Sequence, residues 1–555
     1  MELELRLVSS LEKVFADRPL AAAPFAAASA LKGEVFNFQL AVCNRTMTTV
    51  PGVPYRQVVA HISADCKLPC EVRAVRSVPV DVPCQRPGDD LLDNRPGLYP
   101  DLLTELPGGV FRFPGSQWRA FWFTVRIPEN ARAGRYPVKI TLEEIGADGR
   151  PPATPCAVTS TFELRVVPAK LPAQQLLRYE WFHVDCLHSV YRVPCWSEEH
   201  WRIIENFAAN AARHGINVLM TPLWSLPLDT AVGGERPTTQ LLMISRRGGR
   251  YRFDFSRLDR YVELGLRCGM TRFAMSHFFT QWGAKATPKI VVDVDGVETK
   301  LFGWHVPADS PEYANFLRQL MPELLNFFRG KGLEKRIYFS VSDEPYEKDI
   351  DSYAKAAHLV EPLLEGCPAI DALSNYEIYR RGLVKHPIPS SNHIEDFVGR
   401  VPELNTYYCI SQEAKVPNRF MAMPGSRTRI MGIMFYLYDI RLFLQWGFNF
   451  YFTQYSLGVV DPYRDTCAGN WTPAGDAFLV YPGPDGTPED SLRNEVFFDG
   501  IQDLRALCAL EKKIGRDAVI ATIQSDVPYK ITMERYPRTS EWLLSLRERV
   551  NALLA

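Results

Sequence analysis

Near residue 170 the apolar residues change period, and that change constrains the architecture of this 555-residue chain more than any other feature. Before it, the period is two. Phe36, Phe38, Leu40 and Val42 alternate with polar or small residues, as do Phe121, Phe123, Val125 and Ile127, then Val138, Ile140 and Leu142, then Phe162, Leu164 and Val166. Successive side chains of a strand point to opposite faces, so such segments bury one face and wet the other. Connections such as GRYP and ADGRPP separate them. The pattern predicts an N-terminal antiparallel β-sandwich domain over residues 1–170. VVPAKLPAQQ, with two prolines, then breaks the alternation and marks the domain boundary.

Beyond the boundary, strand-like runs alternate with helical ones. LRYEWFHVD is followed by a helix from about Glu198 to His214, closed by Gly215, then by NVLMTP, a long insertion and RFAMSHF. Ser310 caps a helix with proline at its first position and Phe316, Leu317, Leu320 and Leu324 on one face. RIYFSVSDEP, a helix around SYAKAAHLVEPLLEG, IDALSN, SSNHIEDF, LNTYYCI and FLQWGFNFY continue the rhythm. About eight strands interleaved with helices over roughly 300 residues, with no Gly-rich phosphate fingerprint after the first, predict a (β/α)8 TIM-like barrel over residues 171–555. GDAFLVYPG and a helix beginning near Ser491 are assigned to its closing part. The insertion from about Leu226 to Arg250, with its GGERPTT and RRGGR stretches, reads as an exposed, flexible loop able to act as a lid or subunit contact. The expected fold class is therefore multidomain, β plus α/β, with functional residues at the C-terminal ends of barrel strands.

Charge and cysteine content narrow the function. Acidic and basic residues nearly cancel, for a formal net charge of −1, so no nucleic-acid or membrane partner is indicated and a small or neutral ligand is expected. The twelve cysteines follow no repeated spacing, and Cys66 and Cys70 lack a companion pair at zinc-site distance; they read as mostly buried free thiols. IMGIMFYLYDIRLFLQWGFNFYF is interrupted by Asp439 and Arg441, and so reads as a buried helix running into a buried strand rather than a membrane span. MELELRLVSSLEKVF carries acids where an export signal carries bases, which gives a cytoplasmic expectation. Homo-oligomerisation is left open.

One acidic pair stands where barrel chemistry belongs. Asp343 and Glu344 end an apolar strand, and Pro345 keeps Glu344 out of the helical region. Neighbours on a regular strand point to opposite faces, so these two share a site only where strand gives way to loop. Two carboxyls in a partly dry pocket cannot both ionise easily, and one then serves as an acid near neutrality. The structural alternative is a solvated loop, or a helix cap made by Asp343.

YFSVSDEP, NTYYCISQEAKVPNRFM, YLYDIRLFLQWGFNFY, GNWTPAGDAFLVYPG and SLRNEVFFDGIQDLRALCAL, in that order, resemble the barrel of glycoside hydrolase family 123 and its relatives. EVFNFQLAV and WFHVDC resemble the sandwich and first barrel strand of the same group. The resemblance implies an exo-acting β-N-acetylhexosaminidase, with N-acetylgalactosamine favoured, whose nucleophile is the 2-acetamido oxygen of its own carbohydrate substrate. By that resemblance Glu344 acts as acid and then base, and Asp343 orients the acetamido nitrogen. No cofactor is implied.

The same resemblance asks for a tyrosine hydroxyl on the acetamido oxygen, for which Tyr408 and then Tyr376 are candidates. Trp471, Trp446 and Trp282 are candidates for stacking on the sugar, and Asp476 for binding its hydroxyls. Each also has an ordinary reading, as a core aromatic or a turn residue. His183 and Asp185, on one face of the strand as read from WFHVDCLH, can bind a metal or contact sugar. With no matching cluster on later strands no metal is expected, and a sugar contact is the preferred role for them and for His277. Beside a metal-dependent barrel hydrolase, whose activity a chelator would abolish, two alternatives stay open. One is a glycosidase acting on non-acetamido sugars, with an enzyme nucleophile such as Glu395. The other is a non-catalytic glycan-binding protein.

Overall fold

The computed structural model describes residues 1–88, 90–146, 150, 152 and 156–555, and most of the ADGRPP connection lies outside them. The chain packs as two units. Met1–Gln174, Glu413–Leu437 and Glu489–Ala555 form the first, and Gln175–Gln412 with Tyr438–Pro488 the second.

In the first unit the period-two segments become two five-stranded sheets around one core. Leu3–Ser9, Val35–Asn44, Trp118–Arg126, Cys70–Val80 and Gly97–Glu105 pair antiparallel in that order. The other sheet runs Ala27–Lys32, Ala157–Lys170, Gly134–Ile145, Val58–Asp65 and Val110–Phe113. Phe38 sits opposite Phe123 in register, and the rings lie 5.0 Å apart. Phe162 from the second sheet stacks on Phe38 at 4.1 Å, so the alternation expected from sequence is what fills the core. Burying such a ring contributes about 1.5–3 kcal/mol. The sandwich departs from the expected antiparallel form at one pair, since Ala27–Lys32 runs parallel to Ala157–Lys170. Residues 10–26 carry the chain from an edge of one sheet to an edge of the other, which sets that direction.

The tail does not follow the sequence assignment to the closing part of a barrel. Leu492–Ile514, Arg516–Gln524 and Ser540–Leu554 pack in the first unit, with Gly425–Arg429 and Met431–Leu437. The backbones touch where Gly432 meets Gly500: a Cβ on Gly432 would lie 1.9 Å from the Gly500 carbonyl oxygen. Buried ion pairs add to this. Arg429 grips Asp503 at 2.7 and 2.9 Å, and Arg547 bridges Asp503 and Glu34 at 2.7 and 2.5 Å. GDAFLVYPG, by contrast, lies in the second unit.

Parallel strands dominate the second unit. Ile337–Tyr338, Arg272–Met275, Val218–Thr221, Leu177–Glu180, Leu442–Gln445 and Asn405–Tyr407 pair in parallel in that order. Ile370–Ala372 and His386–Ile388 form a further parallel pair, which parallel bridges from Phe339 to Ala369 and from Ser390 to Tyr407 join to the two ends of the six. Helices Glu198–Arg213, Ser256–Cys268, Pro311–Gly330 and Ile350–Val360 separate the earlier strands. Ser310 caps Pro311–Gly330 by accepting from the Tyr313 amide at 3.1 Å. The strand expected at SSNHIEDF falls instead at His386–Ile388, and Ile394–Asp396 is a single 3-10 turn.

The insertion is not the loose loop expected from its glycines. Leu228, Arg236, Leu241 and Leu242 are buried. Met243–Arg247 pairs with Arg250–Asp254 and joins Ile290–Val294 and Val297–Phe302 in a four-stranded sheet. Gly248 and Gly249 only turn the hairpin, both at positive φ. No helix among the described residues is long and apolar enough to cross a membrane. The twelve cysteines are free thiols.

Candidate active site

The chain beyond Ile337–Tyr338 ends in Asp343 and Glu344 with its backbone held on several sides. The Val341 amide donates to Asp371 Oδ1 at 3.0 Å, Ser342 Oγ donates to the Thr280 carbonyl at 2.9 Å, and the Trp282 amide donates to the Asp343 carbonyl at 3.2 Å. Glu344 then adopts φ 41°, in the left-handed region that residues other than glycine seldom enter. That turn lets two neighbouring carboxyls line one cavity. Burial raises both above the ordinary carboxylate range, and Asp343 is raised further by the charges of Glu344 and Asp371.

Glu344 has a specific partner. Tyr407, ending Asn405–Tyr407, donates to Glu344 Oε1 at 2.5 Å, and this bond draws the Glu344 pKa back down against burial. The same phenol lies 3.2 Å from Ser374 Oγ, which lies 2.8 Å from Ser390 Oγ, itself 2.9 Å from His393 Nδ1. Asp371 accepts from Tyr353 Oη, and burial raises its pKa against that bond.

His183 lines another wall and Asp185 lies behind it, though not as ligands on one strand face. The strand stops at Glu180, and Asp185 belongs to the first turn of Val184–Tyr191. Both residues bind Arg236 from the insertion, a guanidinium buried in the cavity wall. Arg236 pairs with Asp185 at 2.7 and 2.9 Å, and its Nη2 donates to His183 Nδ1 at 3.1 Å. Since arginine can only donate, His183 must carry its proton on Nε2, which donates to the Trp446 carbonyl at 2.8 Å. Burial and Arg236 push the His183 pKa down to about 3, so the ring is neutral. A cation already occupies the place where a metal would need these two side chains.

Aromatic rings supply much of the remaining lining. Trp282, Trp446 and Trp471 all line the cavity, together with Trp181 and Phe450. Trp446 and Trp471 pack at 5.5 Å. Asp476 lies behind them. Its carboxylate accepts from Trp446 Nε1 at 2.8 Å and from Gln445 Nε2 at 3.0 Å, so it holds a wall ring rather than facing the cavity.

Four expected residues lie elsewhere. Tyr408 is fully buried and packs edge-on against Phe443, because adjacent strand residues face opposite ways and Tyr407 takes the cavity side. Tyr376 begins the short helix Tyr376–Arg380 and packs on Tyr379 and Phe397. His277 is buried edge-on to Trp181, its pKa lowered by burial to about 3. Glu395, on the 3-10 turn, accepts from Tyr438. The residues that sequence reasoning missed are Tyr407, Trp181, Arg236, Asp229 and Gln281.

Residues 181–510 match the family model described as glycoside hydrolase 123, catalytic domain. Among solved structures, the fold matches a family 123 glycoside hydrolase from Clostridium perfringens, described for glycolipid glycan hydrolysis. That match has a TM-score of 0.72 at 14% identity and covers 100% of this chain and 97% of the other. A family 5 mannosidase from Rhizomucor miehei matches more loosely, with a TM-score of 0.32 at 10% identity over 62% of this chain and 94% of that one. A comparison with curated protein sequences gives no match.

Proposed function

The chain belongs to glycoside hydrolase family 123 and is a glycosidase, and from that premise we propose an exo-acting β-N-acetylhexosaminidase, favouring N-acetylgalactosamine, that works by substrate-assisted retaining catalysis. The observation that carries this reading is the left-handed backbone at Glu344, which turns two adjacent carboxyls toward one cavity. An enzyme nucleophile and its acid partner must flank the scissile bond. Two neighbours on one strand end approach from one side, and a nucleophile carried by the sugar removes the conflict.

In the first step Glu344 gives its proton to the glycosidic oxygen while the 2-acetamido oxygen attacks the anomeric carbon. The glycosidic C–O bond breaks, the leaving group departs as an alcohol, and an oxazolinium ion remains. Asp343, as carboxylate, accepts from the acetamido N–H and balances the positive charge. Water then adds to the anomeric carbon, gives its proton to Glu344, and restores the acetamide with retention.

The electrostatics support this division. Burial and the Glu344 charge raise Asp343, while the Tyr407 bond draws Glu344 back down, so a proton shared by the pair is favoured on Asp343. An acetamido N–H donated to Asp343 stabilises its ionised form and moves the proton to Glu344. Substrate binding thereby arms the acid. The eight parallel-paired strands support reading the second unit as a (β/α)8 barrel with its site at the C-terminal strand ends, and the three tryptophans are suited to stacking on a sugar face.

The test is hydrolysis of p-nitrophenyl β-glycosides of N-acetylgalactosamine, N-acetylglucosamine, galactose and glucose by wild type and Glu344→Gln. The reading expects release from acetamido sugars alone, lost in the variant. Turnover of the plain hexosides would overturn it in favour of an enzyme nucleophile.

A further inference from the structure

The cavity holds a third carboxyl that the reaction above does not use. Asp229 lies on the insertion, is 6% exposed, and lines the same cavity as Asp343 and Glu344. Its backbone is fixed, with φ 48°, its amide donating to Gln281 Oε1 and its carbonyl accepting from Ser456 Oγ at 2.8 Å. Its side chain is not fixed in the same way. Neither carboxyl oxygen has a hydrogen-bond partner of good geometry. The nearby amides of Tyr455 and Ser456 restrain the upward push of burial, which leaves the pKa at about 6.

A buried acceptor with open lone pairs is costly, and such groups in a cavity wall call for a ligand. Arg236, from the same insertion and lining the same cavity, adds the complementary donor. Four of its five N–H groups are committed, to Asp185 twice, to His183, and to the Leu228 carbonyl at 3.3 Å, which leaves one hydrogen on Nη1. Open carboxylate oxygens beside a guanidinium N–H suit a pair of sugar hydroxyls, which donate to the acid and accept from the base.

We propose that Asp229, assisted by Arg236, binds two hydroxyls of the terminal sugar at its non-reducing end and so determines both exo action and the sugar's stereochemistry. This rests on the reading that a terminal 2-acetamido sugar fills the cavity. A sugar glycosylated at one of those oxygens loses the proton it must donate and brings bulk against a buried wall. Inverting the carbinol centre moves the hydroxyl off the acid. The insertion, rather than the strand ends that carry Asp343 and Glu344, is then where substrate preference is encoded.

The test is binding of N-acetylgalactosamine and its 3-, 4- and 6-deoxy analogues, followed by tryptophan fluorescence, to the full chain and to Asp229→Asn. Asp229→Ser serves as a second variant, and thermal midpoints confirm folding. The proposal expects wild type to lose about 10- to 100-fold in affinity at one or two positions, as for a hydrogen bond to a charged group. The variants should already show that loss and should barely respond to the same deoxygenation. Equal losses in wild type and variants at every position would overturn the proposal while leaving the substrate reading intact. Unchanged binding with abolished turnover would also overturn it, by making Asp229 a nucleophile. Failure of wild type to bind N-acetylgalactosamine at all would overturn the substrate reading and this assignment together.

Discussion

Tyr407 donates its phenolic proton to Glu344 Oε1 at 2.5 Å. A phenol held there stabilises the carboxylate form of Glu344 and opposes the desolvation that favours the acid form. Replacing Tyr407 by Phe removes the bond and keeps the ring. The Glu344 pKa then rises, the acid stays protonated to higher pH, and the alkaline limb of kcat/KM moves upward. Because a weaker acid gives up its proton less readily to the leaving oxygen in the first step, kcat falls by about 10- to 100-fold. A pH–rate profile of Tyr407→Phe beside wild type checks both effects, and a limb that stays in place would detach Tyr407 from the acid.

The choice between Tyr407 and Tyr408 marks where the sequence stops being legible. NTYYC announces that one tyrosine faces the cavity, but period two gives the alternation and not its phase, and the phase here is set by pairing with Leu442–Gln445. The sandwich strands were legible because Phe38, Phe123 and Phe162 repeat a pattern that only one buried face explains. Asp343 and Glu344 were legible because strand, acid pair and proline coincide. Arg236 and Asp229 were hidden, since they sit in a segment whose glycines suggest solvent and whose burial depends on partners some fifty residues away, such as Asp185 and Gln281.

The acidic pair carries a stability cost that depends on pH. A carboxyl whose pKa is raised in the fold binds its proton more tightly folded than unfolded, so stability falls as pH rises above the unfolded value of about 4, until the folded pKa is passed. Asp343 is raised by burial, Glu344 and Asp371. Asp343→Asn removes that penalty and also abolishes or severely lowers activity. Urea unfolding at pH 7 to 8 should find the variant more stable by about 1–3 kcal/mol, with the gap closing toward pH 4. A gap that widens on acidification would contradict the raised pKa.

Arg236 and Asp185 are both fully buried, and they form a bidentate pair. Removing one partner leaves an uncompensated charge, which costs about 3–5 kcal/mol, whereas removing both costs much less. Asp185→Leu and Arg236→Met should each destabilise strongly, and the double variant should recover most of the loss in a double-mutant cycle. With His183 and Asp185 spent on Arg236, dialysis against a chelator should leave activity unchanged. Loss of activity restored by added metal would contradict that use of the two side chains.

Asp476 acts on the cavity through Trp446. Its carboxylate fixes the indole by accepting from Nε1 at 2.8 Å, while Gln445 Nε2 donates to its other oxygen at 3.0 Å. Trp446 in turn presents its ring to Trp471 at 5.5 Å, so one carboxylate sets the pose of two rings. Asp476→Ala should free the indole to leave its rotamer while Asp343 and Glu344 keep their geometry. Loss of a stacking surface weakens ground state and transition state alike, and uniform binding appears in KM rather than kcat. Asp476→Ala should therefore raise KM about tenfold with kcat changed less than threefold, the size of one or two lost sugar contacts. The accompanying shift in tryptophan emission on sugar binding should shrink, and a fall in kcat at constant KM would place Asp476 in the chemical step instead.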